Sequence, residues 1–75
     1  MEFLEAAIAV LRDEGEPLHW TKIQDIALRR GYVDPFEQPD VRKGLLAALA
    51  EGVRAGALEK RGTGVYVLAP GDDPG

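Results

Sequence analysis

The sequence predicts a mainly helical domain with a small β-hairpin, arranged as a winged helix-turn-helix of three helices and a wing. Three observations carry that expectation. Apolar residues recur at helical spacing in three separate stretches. Two short β-prone runs, 58–61 and 65–68, flank Gly62-Thr63-Gly64, and such a glycine-rich link suits a tight hairpin because glycine adopts positive φ without a Cβ penalty. The chain has 75 residues and no cysteine, so one apolar core must hold it without covalent staples. A lone hairpin is unstable in water, so this one must pack on the helices.

Residues 2–14 read as the first helix. Phe3, Leu4, Ala7, Ile8 and Leu11 form one apolar stripe, Gly15 ends it, and Pro17 follows. Pro17-Leu18-His19 reads as an extended connector or a short strand, away from a sheet centre because proline brings no N–H. Residues 20–30 read as the second helix, with Ile23, Ile26 and Ala27 inward and Thr21 placed to cap the start. Arg29 and Arg30 fall in its last turn, where positive charge suits the helix dipole, and Gly31 lies just past it.

A loop over 31–38 follows, with Tyr32, Val33 and Phe36 expected to pin it against the core. Pro39 suits the first turn of a third helix over 39–55, where a missing N–H costs nothing. Leu45, Leu46, Leu49 and Val53 form its apolar side, and Gly56 ends it. Gly44 and Gly52 each cost about 1 kcal/mol against alanine in a helix interior, a cost that close approach of another backbone would explain. Residues 1–68 are thus one domain, and 69–75, rich in Pro, Gly and Asp, read as a flexible C-terminal tail.

Phe3, Leu4, Ile8, Ile23, Leu45, Leu49, Val65 and Val67 are expected to be structural. Truncating a large one should cost about 2–5 kcal/mol, a large part of so small a domain's stability. Trp20 and Tyr66 read as core or half-buried anchors. Tyr32 and Phe36 are better candidates for an exposed aromatic contact, although burial is the expected fate of both.

The net charge of −4 argues against a simple polyanion binder. Its distribution is uneven. Residues 1–19 set Arg12 against Glu2, Glu5, Asp13, Glu14 and Glu16, and the tail holds Asp72 and Asp73, whereas 20–68 carry eight basic and six acidic side chains. The middle of the chain can therefore present a basic face. No apolar run approaches the roughly 18 residues needed to cross a bilayer, and Glu2 and Glu5 are the opposite of a basic signal-peptide start. No membrane partner and a cytoplasmic location are expected.

His19 is the only histidine. Without cysteine or a ligand partner at fixed spacing it makes a poor metal site, and no nucleophile–base pair accompanies it. Its expected role is a hydrogen bond that fixes the turn into the second helix. The chain reads as a binding module rather than an enzyme, with no cofactor and no metal.

The stretch Phe3 to Leu11 followed by Gly15-Glu16-Pro17-Leu18-His19-Trp20, with Ile23 in the next helix, resembles the opening of the HARE-type helix-turn-helix family. The ending is similar too: Leu58 to Arg61, a glycine turn, then Val65-Tyr66-Val67-Leu68. The resemblance covers about residues 3–68. One departure is Gln38-Pro39 where the family often opens the third helix with Thr-Pro, so the compact hydroxyl cap is missing. Relatives imply two uses. The domain occurs beside restriction endonucleases and in additional-sex-combs-like chromatin proteins, where DNA binding is inferred, and as the acidic N-terminal domain of the RNA polymerase delta subunit, which touches protein.

A winged helix reads DNA by placing the start of its recognition helix in the major groove while the wing touches phosphates. That geometry nominates Gln38, Arg42 and Lys43 at the helix start and Lys60, Arg61 and Thr63 at the wing, with Lys22 and Arg29-Arg30 in reach of flanking phosphates. Charges on exposed helix faces are normally only solvated, and Asp40 would repel a phosphate. The first expectation is double-stranded DNA, possibly methylated, with a sequence- or modification-reading or restriction-associated role. The rival is a protein partner such as RNA polymerase or a nuclease.

Overall fold

A computed structural model describes residues 1–70. Its order is α1 (Phe3–Glu14), β1 (Leu18–His19), α2 (Trp20–Arg29), α3 (Val41–Arg54), β2 (Leu58–Lys60) and β3 (Val65–Leu68), the winged helix-turn-helix arrangement. Most of the segment read as a flexible tail, 71–75, lies outside the described residues.

Glycine ends α1 as the sequence indicates. Gly15 adopts φ 68° and its N–H donates to the Leu11 carbonyl, so a carbonyl left open by the helix end is satisfied. At the other end the Glu5 carboxylate accepts from the Glu2 N–H at 3.1 Å. The buried face of α1 is Ala6, Ala7, Val10 and Leu11. Phe3, Leu4 and Ile8 sit half-buried at its margin. Two alanines on the buried stripe keep the backbone of α1 close to its neighbours.

The sheet runs β1-β3-β2, antiparallel throughout. Leu58 pairs with Leu68 and Lys60 with Tyr66 across the hairpin, and Leu18 pairs with Tyr66 on the other edge. Directly opposed residues share a face, so Leu18, Leu58 and Tyr66 are buried together beneath the helices. Tyr66, expected as a core or half-buried anchor, is the core residue of β3, and Val65 and Val67, expected to be structural, are half-buried. The alternation of the strand demanded one set or the other, and the pairing with Leu18 chose Tyr66.

Ile23, Leu45 and Leu49 are fully enclosed, joined by Leu11, Val10 and Leu58. Two details of α3 differ from the sequence reading. It begins at Val41, not Pro39, after an N-cap Asp40 in the left-handed region at φ 59°, a conformation that aspartate tolerates better than most residues. Val53 is exposed, and the inward position of that turn belongs to the buried Gly52.

Both helix-interior glycines have a steric reason. A Cβ on Gly52 would lie 2.7 Å from Leu58 Cδ1 and 2.9 Å from Leu4 Cδ1, and a Cβ on Gly44 would overlap the Phe3 ring. What approaches is apolar side chain, not backbone as expected. The missing methyls let α3 lie against α1 and β2.

Candidate nucleic-acid interface

The entry to α2 is built by the Leu18-His19-Trp20 step. His19 is the N-cap, and its Nδ1 accepts the Thr21 N–H at 3.3 Å and lies 2.8 Å from the Thr21 hydroxyl. The cap is thus the histidine, where the sequence reading gave that role to Thr21. Histidine can do this because its unprotonated ring nitrogen is an acceptor at the same reach as a capping carboxylate.

The same step holds the wing. The Trp20 N–H donates to the Gly64 carbonyl at 2.9 Å, and His19 pairs with Val65. Gly64 adopts φ 73°, and a Cβ there would come within 2.8 Å of His19 Nε2 and 3.1 Å of Trp20 Cδ1. Glycine is therefore required twice over, for the turn and for the approach. Across the turn, the Arg61 N–H donates to the Val65 carbonyl at 2.7 Å.

Trp20 also meets α3. The Arg42 guanidinium carbon stands 5.6 Å from the centre of the Trp20 ring, within cation–π range. The wing, the start of α2 and the start of α3 thus converge on one half-buried tryptophan. Nothing in the spacing of Trp20 and Arg42 along the chain signals this contact, and the sequence reading gave Trp20 only a packing role.

Seven of the nine basic side chains fall into two groups, with Arg12 on α1 exposed and outside both. In the first, Arg29 pairs with Asp25, Arg30 reaches Asp13 at 2.9 Å and Glu14 at 2.8 Å, and Arg54 pairs with Glu51 at 2.7 Å. The Arg29 guanidinium hydrogen-bonded to Asp25 holds that carboxyl below the usual carboxylate range. Tyr32 donates its hydroxyl to Asp13 at 2.7 Å, which raises the phenol above its ordinary value.

In the second group, Arg42, Lys43 and Lys60 make no ion pair among the described residues, and Arg61 has only a loose contact of 3.7 Å with Glu59. All four are exposed, as is Thr63 at the wing tip. Lys43 heads a face of α3 whose other members at helical spacing are Ala47, Ala50 and Arg54, all exposed. Side chains on that face are short between its two ends.

Two nominated residues stand apart. Lys22 shares a shallow recess with Glu14, Ile26, Arg29 and Arg30, so it belongs to the first neighbourhood. Gln38 donates its side-chain amide to the Met1 carbonyl at 3.0 Å and ties the loop to the start of the chain. The structure brings Arg42, Trp20 and the wing together and leaves Lys22 and Gln38 elsewhere.

Among the described residues no helix is long and apolar enough to cross a membrane, and no group of three or more acidic or histidine side chains could hold a metal ion. A family model, HARE-HTH, for the helix-turn-helix domain of ASXL proteins and restriction endonucleases, matches residues 1–68. No curated protein and no solved structure matches the chain.

Proposed function

The chain belongs to the HARE-HTH family, and on that premise we propose that it is a non-enzymatic module for double-stranded DNA. The start of α3 enters the major groove, with Arg42 and Lys43 at base edges and adjoining phosphates, and the β2–β3 turn lies along one strand through Lys60, Arg61 and Thr63. Lys22 and Gln38 take lesser parts, Lys22 at a flanking phosphate and Gln38 through the loop that precedes α3.

One observation carries this reading. Arg42 and Lys43 at the start of α3 and Lys60 on the wing make no ion pair among the described residues, whereas Arg29 and Arg30 at the far end of α2 are already paired with the chain's own acids. A phosphate meeting Arg42 displaces water and counterions and breaks no ion pair among the described residues, although the exposed Asp40 at the head of α3 opposes it. Ala47 and Ala50 support it further, because their short side chains let a groove wall come near the α3 backbone. Net charge remains −4, so affinity for arbitrary sequence should be weak and fall steeply with salt.

Titration of labelled duplexes, plain and methylated, at two salt concentrations tests the reading. Binding that weakens as salt rises is expected, and the methylated arm reports whether a modification is read. Absence of binding to every duplex at low salt would defeat it. The rival reading, a partner such as RNA polymerase or a nuclease, has the acidic first helix in its favour: Glu2, Glu5, Asp13 and Glu14 lie in or beside α1.

A further inference from the structure

The ten-residue connection between Arg30 and Val41 presents the most exposed large apolar side chain described. Phe36 is 95% exposed, the opposite of the burial expected for it. Val33 and Tyr32 pin the base of this loop instead, Val33 at 2% exposure.

The turn that carries Phe36 is well held. Asp34 Oδ1 accepts the Phe36 N–H at 2.9 Å, and the Asp34 carbonyl accepts from Glu37 and Gln38 at 3.1 and 2.8 Å. The flanks are tied to the start of the chain, where Met1 N donates to the Tyr32 carbonyl and Gln38 to the Met1 carbonyl, each at 3.0 Å. Met1, itself exposed, therefore lies beside the loop. An aromatic ring on a turn fixed by its own hydrogen bonds loses little conformational freedom when a partner encloses it, the property that favours aromatic anchors at protein interfaces.

The charges around the ring select the partner. Asp34, Glu37 and Asp40 are exposed and make no ion pair among the described residues. They repel a phosphate backbone and would complement a cationic rim. We propose that the Phe36 loop is a docking knob for a protein partner with an apolar pocket edged by lysine or arginine. Phe36, Asp34 and Glu37 are distinct from the side chains proposed to face the duplex. Phe36 fills the pocket, and Asp34 and Glu37 meet its rim.

The test is a display library of short random peptides, selected on the full chain and counter-selected on Phe36→Ala. Phe36 rests on nothing, so the variant keeps its fold, which its melting curve verifies. The expected survivors have an apolar centre flanked by Lys or Arg. They bind the wild-type chain roughly tenfold or more tightly than Phe36→Ala and lose affinity to Asp34→Asn with Glu37→Gln, while duplex binding by Phe36→Ala is unchanged. Three outcomes would overturn the proposal: survivors that do not distinguish the wild type from Phe36→Ala, survivors with acidic rather than basic flanks, or a Phe36-dependent self-association in sedimentation that makes a second copy the occupant. Failure of the duplex titration leaves this result untouched, because Phe36 is not among the DNA-facing residues.

Discussion

The two ends of α2 treat positive charge in opposite ways. At the C-terminal end Arg29 and Arg30 are closed off by Asp25, Asp13 and Glu14, and Tyr32 joins the same carboxylate network. At the N-terminal end Arg42 lies over the Trp20 ring and no carboxylate meets it. Arg29, Arg30 and Arg42 are all exposed. The acidic end of α1 supplies counter-charge to Arg30, and Arg42, Lys43 and Lys60 receive none among the described residues. A count of basic residues would have treated the two corners alike.

Reversing both open cations, Arg42→Glu with Lys43→Glu, breaks the contrast most directly. Duplex affinity at low salt should fall about a hundredfold, as expected for two contacts of about 1–3 kcal/mol each, and the salt slope should become shallower. Arg29→Ala should leave both quantities nearly unchanged. Fluorescence anisotropy across a salt series checks the pair, and equal losses in the two variants would erase the distinction between the corners.

The next effect concerns the close seat of α3. Gly52→Ala gains about 1 kcal/mol of helix propensity but drives a methyl into Leu58, 2% exposed, and Leu4, an overpacking that costs about 1–3 kcal/mol. A net loss of about 1 kcal/mol is expected in urea denaturation. Gly44→Ala should be nearer neutral, since the half-buried Phe3 ring it strikes can swing toward solvent. A stabilised Gly52→Ala would mean that the core at this point is loose.

Smaller still is the tryptophan contact. Trp20→Leu keeps apolar bulk beneath Arg42 and removes the ring face, worth about 0.5–1 kcal/mol at an exposed site. Duplex affinity should drop about two- to fivefold under conditions where both proteins are folded, measured beside their melting curves. No change would show that Arg42 does not need its platform.

The smallest effects sit in the paired corner and depend on pH. Tyr32 has its folded pKa raised by the hydrogen bond to Asp13, so its contribution is whole below the phenol's ordinary titration and disappears as pH rises through the folded value. Asp25 has its pKa lowered by Arg29, so its contribution is present at neutral pH and disappears as pH falls through the folded value. Tyr32→Phe should melt slightly below the wild type at neutral pH and converge with it in alkali. Asp25→Asn should converge in acid. Both exposed contacts are weakened by salt, and a difference that persists at every pH would assign the effect to packing.

The chain's local features were readable before its fold. The stripe from Phe3 to Leu11, the stop at Gly15 and the glycine turn at 62–64 all depend on neighbours a few residues apart, and each appears as an element or its boundary. The start of α3 was misread because proline's preference for a first turn competes with the left-handed Asp40 that turns the chain into the helix. The choice of Tyr66 over Val65 and Val67 as the core face rested on pairing with Leu18, a partner 48 positions away by sequence number. Phe36 was misassigned for a related reason. Its loop has no periodicity to indicate a face, and the ties to Met1 that orient it join opposite ends of that stretch of chain.

Alone, the sequence determined the three helices, the hairpin and the identity of the basic residues, because helical spacing and glycine's tolerance of positive φ are properties of contiguous chain. Only the tertiary structure decided which cations are open. An ion pair or a ring contact depends on where separate elements meet, and Arg30 finds its acids on α1, 16 and 17 residues away, while Arg42 finds a tryptophan. Coulomb attraction and packing act over distance in space, and the chain order of Asp13, Trp20, Arg30 and Arg42 does not contain that distance.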